Sequence, residues 1–361
     1  MTMERADLTM VERIRKLGGF DLSACYSCGT CSAVCPLSAD DVSFPRKMIR
    51  YSLLGLEGRI LSSPEPWLCY YCGECSKTCP READPGGLMM ALRRFSIRRY
   101  SIGRIADAFY SAFASGVAWI ALTAIAIAAI VLFYNPAMDR TKVDFLSFIA
   151  LEDIHIAGIA IVAFIMAVML GNIWIMYRSI QRGPHGAALS LKNVRDFSVK
   201  ALREVALQER FGECEDLKNR RLAHLAVSWG FMGMFVATCI IAAIDFKWIP
   251  LPRWVSLVVG SVSGVAALGG LAYYLSIRIA RRVEYAKRSH HTDWVFLILL
   301  ALSVVSGYVM LAFRFLHMPM AAYGTFAFHM IVVFDLLMSL PFTKFAHIVY
   351  RPVALWLAGV K

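Results

Sequence analysis

Apolar residues are distributed very unevenly along the chain. After residue 100 they form six runs of about 20 residues each, the length that a helix needs to cross a bilayer. The runs cover residues 112–134, 155–177, 224–244, 254–277, 294–313 and 324–347. The pattern predicts an all-α protein whose larger part is a six-helix transmembrane bundle.

The first hundred residues differ from the rest in hydropathy and composition. They contain no run long enough to span a membrane, yet they carry eight of the ten cysteines. The hydrophobic content of the whole chain, 58%, exceeds what a soluble domain needs to fill its core. We therefore expect a soluble head over residues 1–100 and a membrane domain over residues 101–361.

The distribution of charge predicts an orientation. Lys and Arg crowd the linkers 178–221 and 278–293, whereas the segments 247–253 and 314–323 hold two and one basic residues. Because basic loops remain in the cytoplasm, both termini are expected there, in a multi-pass protein of the cytoplasmic membrane. The start of the chain also lacks the apolar segment of a secretory signal. The formal charge of +12 fits such loops and requires no nucleic-acid partner.

The cysteines of the head form two copies of one motif. CYSCGTCSAVCP and CYYCGECSKTCP both have the spacing C-x2-C-x2-C-x3-C-P. In two-cluster ferredoxins the fourth thiolate of each such run binds the other 4Fe-4S cluster. The spacing thus predicts two clusters, held by Cys25, Cys28, Cys31 and Cys79 and by Cys69, Cys72, Cys75 and Cys35.

Two other uses of these cysteines are less consistent with the pattern. A zinc ribbon takes its four ligands from two C-x2-C pairs, not from four closely spaced cysteines twice over. Disulfides do not persist in the reducing cytoplasm, where the head is expected.

A segment of the first basic linker, residues 190–212, has apolar positions at near-helical spacing. It predicts an amphipathic helix that lies either on the membrane surface or against a partner protein. The sequence does not separate the two.

Four histidines are predicted to pair at matched depths in the bundle. His329 and His347 are eighteen residues apart in the last run, which at ~1.5 Å per residue is close to the ~30 Å hydrocarbon thickness. His224 begins the third run at the inner face and His155 the second at the outer face. Such pairs predict two b-type haems with bis-histidine ligation, one at His224 and His347, the other at His155 and His329.

Other histidines compete with these assignments. His317 in the outer loop could replace His155, and His290 or His291 could compete at the inner face. Any one of them is also explained as a polar residue at the membrane boundary.

Asp335 lies within the last apolar run. A carboxylate there is costly unless it has a partner or a proton to transfer. We expect Asp335 to belong to a proton path for quinol oxidation.

Several stretches resemble respiratory proteins. The two cysteine runs resemble those of the small iron–sulfur subunit of heterodisulfide reductases. RRLAHLAVSWGFMGMFVAT, HTDWVFLILL and LPFTKFAHI are similar to parts of the cytochrome b subunit of those enzymes and, more remotely, of the gamma subunit of respiratory nitrate reductase. The fusion of head and cytochrome resembles the membrane subunits of quinone-interacting membrane-bound oxidoreductase complexes of sulfate reducers and some sulfur oxidisers.

The resemblance implies cofactors and partners. It implies menaquinone as the membrane substrate, cytoplasmic flavin and iron–sulfur subunits as partners, and electron exchange with adenylylsulfate reductase. It also implies His329 and His347 as haem ligands. In one departure, Met234 stands where the nitrate reductase pattern has a second histidine on the His224 helix.

Two alternatives remain open at this level. The chain could be a membrane anchor without an electron-carrying haem, or the quinone-reducing subunit of a heterodisulfide reductase-type or hydrogenase-type complex. The sequence contains no glycine-rich dinucleotide fingerprint, and no substrate-level catalytic site is expected in either case.

Overall fold

The computed structural model describes residues 5–38, 43–134, 139–145, 149–183, 191–209, 211 and 218–359. Every regular element in these residues is a helix, which confirms the all-α prediction. Cys214 and His185 lie outside the described residues.

The head is built of short helices around one long helix, α7. Leu88, Leu92 and Phe95 on α7 are buried in its core. The helix starts where the Asp84 carboxylate accepts a hydrogen bond of 2.8 Å from the Gly87 backbone N–H, a capping contact that fixes the helix end. The helices of the head are α1 Met10–Lys16, α2 Thr30–Ala33, α3 Arg46–Leu53, α4 Glu57–Leu61, α5 Glu65–Leu68, α6 Glu74–Lys77 and α7 Pro85–Tyr100.

Six long helices follow after the connecting helix α8, Ala106–Ser111. In the described residues, five of the six are long and apolar enough to cross a membrane, and the apolar part of the first, Phe113–Ala129, is shorter. Each lies where the hydropathy pattern predicts a helix. The six helices are α9 Phe113–Tyr134, α10 Leu151–Gln181, α12 Lys218–Asp245, α13 Arg253–Ala280, α15 His291–Phe315 and α16 Pro319–Met338. A short helix, α14 Glu284–Lys287, connects α13 and α15.

The prediction that His329 and His347 share one helix is wrong. Helix α16 ends at Met338, two 3-10 turns follow at Leu340–Phe342 and Lys344–Ala346, and His347 begins a separate helix, α17 His347–Leu357. Pro341 explains the break, because proline donates no backbone hydrogen bond and disfavours the α conformation at Leu340. His329 is therefore near the middle of its helix instead of at the outer surface.

Helices α12 and α13 pack closely because small residues face each other. A Cβ atom added to Gly230 would lie 2.6 Å from the Ser263 carbonyl oxygen, and one on Gly233 would overlap the Ser263 side chain. Such small-residue contacts let membrane helices approach without voids.

The head packs against one end of the bundle, which we call the head side; the opposite end is the far side. Arg220 at the start of α12 donates a hydrogen bond of 2.7 Å to the Tyr71 carbonyl of the head. The Trp67 ring lies 5.2 Å from the ring of Tyr350 on α17. Because Trp67 belongs to the head and Tyr350 to the C-terminal helix, the two ends of the chain lie on the same side of the bundle.

The predicted amphipathic helix is present as α11, Leu191–Leu207, in which Phe197 packs beside Gly359 just after α17. The side chains of Val199 and Leu202 are 60% and 68% exposed on the other face. One face therefore contacts the chain's own C-terminal segment, while the other offers an apolar stripe to a membrane surface or a partner.

Candidate metal and cofactor centres

The two cysteine loops have the same backbone conformation. Ser27 and Tyr71, two residues after the first cysteine of each run, have φ of 55° and 52°, and their N–H groups donate to the sulfur of that cysteine at 3.4 and 3.3 Å. Gly29 and Gly73 both have φ of 92°, a left-handed conformation that glycine adopts without strain. The loops thus fold as a structural repeat and aim their thiols inward.

The eight thiols gather around two cavities. Each cavity is lined by three cysteines of one run and the fourth cysteine of the other run. The first is lined by Cys25, Cys28, Cys31 and Cys79, and the second by Cys69, Cys72, Cys75 and Cys35. These are the two crossed sets expected from the spacing.

The thiols do not converge on single points. No three His, Cys, Asp or Glu side chains in the described ranges are close enough together to hold one metal ion. The cysteines line the walls of a space instead, as a cluster of several iron and sulfide atoms requires. The two crossed sets of four cysteines, each around its own cavity, favour iron–sulfur clusters over the zinc alternative.

The second cysteine set is the more deeply buried of the two. Burial raises the pKa of the Cys35 thiol to about 12 and also raises the pKa of Cys69, where the Arg93 guanidinium acts in the opposite direction. Arg93 donates hydrogen bonds to the carbonyl oxygens of Pro66, Trp67 and Cys69. Thiolates in such a site need the positive charge of iron, because metal ligation drives deprotonation.

His224 and His347 meet across a large cavity on the head side. Their ring centroids are 6.3 Å apart, and both side chains line a cavity of about 330 Å³. Two imidazoles bound to one metal by bonds of about 2 Å each place their ring centres about 6 Å apart. At the observed distance the two rings would be able to hold one metal ion between them.

The other ring nitrogen of each histidine has a partner. His347 Nδ1 lies 2.6 Å from the Lys344 carbonyl oxygen, and His224 Nδ1 lies 2.9 Å from Gln208 Oε1. A hydrogen bond donated by Nδ1 leaves Nε2 with the lone pair that a metal needs and fixes the ring orientation. Burial also lowers the pKa of His347 to about 4, so its imidazole is neutral.

Positive charge surrounds the cavity. Its wall includes the side chains of Arg93, Arg220, Arg351 and Lys344. Lys344 Nζ lies 2.9 Å from an oxygen of Asp293, whose other oxygen accepts from Arg94 at 2.7 Å. Arg93 and Arg220 also donate to backbone carbonyls of the head, so the wall combines positive charge with contacts that hold the head in place. Guanidinium groups pair well with carboxylates, and a wall of this charge would suit an anionic ligand.

His155 and His329 are not brought together. His155 Nε2 lies 3.8 Å from Asp245 Oδ2 on α12, and its ring stacks on Phe246 at 4.4 Å. His329 Nδ1 lies 2.8 Å from Ser306 Oγ on α15. In the described part of the chain, no hydrogen bond or ring contact joins the two histidines.

The competing histidines also have separate surroundings. The rings of His290 and His291 lie 4.0 Å apart, packed near Tyr110 and Phe113 respectively, and neither lines the cavity of His224 and His347. His317 is exposed beyond the end of α15. None of the three is placed as a ligand on the head side.

Asp335 is 1% exposed and lies on α16 near the head side. One of its oxygens accepts a hydrogen bond from Thr123 on α9, while the other has no hydrogen-bond partner among the described residues. A carboxyl group in such surroundings is costly to ionise.

Sequence reasoning did not find Tyr70, Phe211 and Arg220, which also line the cavity of the histidine pair. Only Tyr70 had a usable signal, since it directly follows the first cysteine of its run, as Tyr26 does in the other.

Two family models match different parts of the chain. A family model described as Citrate utilization protein B matches residues 111–359, and one described as a 4Fe-4S dicluster domain matches residues 24–83. No solved structure matches the chain significantly.

Curated relatives match the head. A protein of Archaeoglobus profundus described as like the C-subunit of heterodisulfide reductase is 37% identical over 98 residues, which are 27% of this chain and 52% of the relative. The C-subunit of the H(2):CoB-CoM heterodisulfide,ferredoxin reductase of Methanothermobacter thermautotrophicus is 37% identical over 62 residues, 17% of this chain and 34% of the relative. The matches thus span about half or less of the length of these relatives.

The matched domains and the apolar helices together define the class of protein. The head is similar to part of the C-subunit of heterodisulfide reductases. The chain is an iron–sulfur electron-transfer protein with membrane-spanning helices, and it belongs to the Citrate utilization protein B family.

Proposed function

We propose that this chain is the electron-transfer subunit of a membrane respiratory complex, linking menaquinol or menaquinone to cytoplasmic flavoprotein subunits. The observation that carries the proposal is that the cavity of His224 and His347 adjoins a cysteine-lined cavity, with Tyr70 in the wall of both. The redox chemistry belongs to haem b and two 4Fe-4S clusters, while the protein supplies ligands, spacing and surroundings.

The head, residues 1–100, is proposed to hold both clusters, and residues 101–361 to hold the haems. The end of α7 at Tyr100 supports this boundary. The crossed lining of the two cavities supports the ligand sets Cys25, Cys28, Cys31 and Cys79, and Cys69, Cys72, Cys75 and Cys35.

The head-side haem b is proposed to bind between His224 and His347. The ring separation, the hydrogen-bonded Nδ1 atoms and the arginines of the wall all suit it. A second haem b on His155 and His329 would need both side chains to turn toward each other, because each contacts a different helix.

Asp335 is proposed to carry protons released from quinol. Its buried, half-satisfied carboxyl group supports that role. Asp335→Asn should slow quinol oxidation several-fold while haem content stays unchanged, and an unaltered rate would remove Asp335 from the path.

The proposed partners follow from the fusion of head and membrane domain. That arrangement favours a subunit of a quinone-interacting membrane-bound oxidoreductase, with both termini cytoplasmic and electrons moving toward adenylylsulfate reductase in sulfate respiration. The likeness of the head to a heterodisulfide reductase protein supports the alternative of a heterodisulfide reductase-type or hydrogenase-type complex. The description of the matched family favours a further candidate, electron transfer that serves citrate utilization.

Purification of the full chain in mild detergent tests the proposal. A b-type haem held by His224 and His347, two 4Fe-4S clusters and a co-purifying flavoprotein are expected. A reduced-minus-oxidised spectrum without b-type bands would leave only the anchor function. Co-purification of an enzyme acting on citrate or a similar tricarboxylate would favour the citrate-utilization candidate over sulfate respiration.

A further inference from the structure

Tyr70 lies between the head and the membrane domain. It lines the cavity of Cys69, Cys72, Cys75 and Cys35 and also the cavity of His224 and His347. Among the described residues no other side chain lines both. The cavity of Cys25, Cys28, Cys31 and Cys79 shares no lining residue with the histidine cavity.

We propose that Tyr70 is the positioning residue through which electrons pass between the haem at His224 and His347 and the cluster at Cys69. The cluster at Cys25 is then the one that serves the soluble partner. The inference rests on the proposed haem and adds the order of the cofactors and the contact between them.

The Tyr70 ring is held in place by packed neighbours. The ring of Phe211 meets it edge to face with centroids 4.5 Å apart, and the Arg351 guanidinium lies 3.8 Å from its centroid. Phe211 in turn lies 5.5 Å from the His224 ring. Aromatic pairs and cation–π contacts of this geometry are attractive, so a continuous path of packed rings runs from the loop of Cys69 to a proposed haem ligand.

The first cysteine run supplies an internal comparison. Tyr26 has the same place in that run, one residue after Cys25, and the Arg81 guanidinium lies 4.3 Å from its ring centroid. Tyr26 is nevertheless 70% exposed. The repeated motif therefore presents one tyrosine to the membrane domain and the other to solvent.

The transfer needs no chemistry at the phenol. With both cofactors bound, the one electron that ferrous haem iron would lose on becoming ferric would reduce a [4Fe-4S] cluster from the 2+ to the 1+ state. The buried Tyr70 hydroxyl has no hydrogen-bond partner in the described residues. The Tyr70 ring fills the space between the two cofactor sites. Tyr70 forms and breaks no bond and neither gains nor loses a proton.

Tyr70 could instead be only a core aromatic that holds the head on the bundle. The two roles differ in what a substitution changes. Loss of docking would lower cofactor content or stability, whereas loss of the path would slow transfer at full cofactor content.

The experiment compares the full chain with Tyr70→Phe, Tyr70→Leu and Tyr26→Leu variants. The clusters are oxidised, the haem is reduced by a quinol analogue in a rapid mixer, and samples frozen in time are read by EPR for the reduced cluster. Haem content, cluster content and the EPR line shapes of each resting protein are recorded first.

Tyr70→Phe and Tyr26→Leu should transfer electrons at the wild-type rate. Tyr70→Leu should be slower on the order of tenfold at full cofactor content, because a gap replaces packed ring atoms. A wild-type rate in Tyr70→Leu would overturn the inference, and so would equal slowing in Tyr70→Phe, which would implicate the hydroxyl.

If Tyr70→Leu loses a cofactor, Phe211→Leu tests the same path from the other side. A wild-type rate there would overturn the inference as well. The absence of haem b from the wild-type protein would instead defeat the proposed function, and the two failures are therefore distinguishable.

Discussion

The sequence predicts two pairs of histidines as haem ligands, but in the structure only the pair on the head side lies close together. On the head side, the ring centroids of His224 and His347 lie 6.3 Å apart. Gln208 contacts Nδ1 of His224, and the Lys344 carbonyl just before α17 contacts Nδ1 of His347. Of the other two, His155 near the far side pairs with Asp245, and His329 in the middle of α16 pairs with Ser306. A position near one end of an apolar run therefore does not fix the depth of a histidine or the residue that it faces; the true ends of the helix and the neighbouring segments decide both.

The largest effect should come from replacing a cysteine of one run that lines the cavity of the other run. Cys35→Ser should remove the cluster of the second run, although Cys35 belongs to the first, because its thiol lines the second cavity. EPR and iron analysis should show one cluster remaining, with about half of the cluster iron lost.

Cys239→Ser is the matched control, since Cys239 is an exposed thiol on a membrane helix. It should keep both clusters. Loss of the first-run cluster in Cys35→Ser would contradict the crossed arrangement.

The next effect should be on haem. His347→Ala should remove the head-side haem, because no other histidine among the described residues lines that cavity besides His224. Pyridine haemochrome analysis measures the loss, with His291→Ala, which leaves the pair untouched, as the control. Full haem content in His347→Ala would show that the ligand lies elsewhere.

A buried charge tests how the head is attached. Asp293 lies between Arg94 of the head and Lys344, and is 4% exposed. Asp293→Asn leaves the buried Arg94 and the partly exposed Lys344 without their counter-charge. The loss should cost up to about 3–5 kcal/mol, the value for a buried pair. Thermal unfolding in detergent should show a lowered midpoint.

Glu12→Gln is the surface comparison for that substitution. The Glu12 and Arg15 side chains are 47% and 60% exposed, and such pairs contribute roughly 0–1 kcal/mol. Equal midpoints for the two variants would mean that the buried triad does not stabilise the docked head.

The smallest effect should come from replacing Gln208, which orients the His224 ring. Gln208→Leu removes the partner of His224 Nδ1 while filling similar space. Losses of this kind lower affinity about 10–100-fold, so haem should bind and be lost more readily in titrations of the haem-depleted protein. Unchanged affinity would assign the ring orientation to Ser228, which lies 3.2 Å from the same nitrogen.

The contrast between the two sides also explains what the sequence could predict. Cysteine ligands are set by local spacing, so the sequence predicts both motifs and the exchange of their fourth cysteines. The helices of the bundle were readable from hydropathy alone. The break at Pro341 was overlooked because the apolar run continues through it.

The bridge between head and bundle depends on distant parts of the chain. Tyr70, Phe211 and Arg351 come from three separate segments and meet only after the head has docked. No local pattern marks Phe211 or Arg351, so their place could come only from the structure. The same holds for the partners of His155 and His329.

The central claim is that a haem b lies between His224 and His347, next to the clusters. Reduced-minus-oxidised spectra of membranes containing the wild-type chain or His224→Ala test it most directly. The account predicts b-type bands in the wild type and a clear loss of band intensity in the variant at equal protein level. The absence of b-type bands from the wild type, or bands of equal intensity in both, would contradict it.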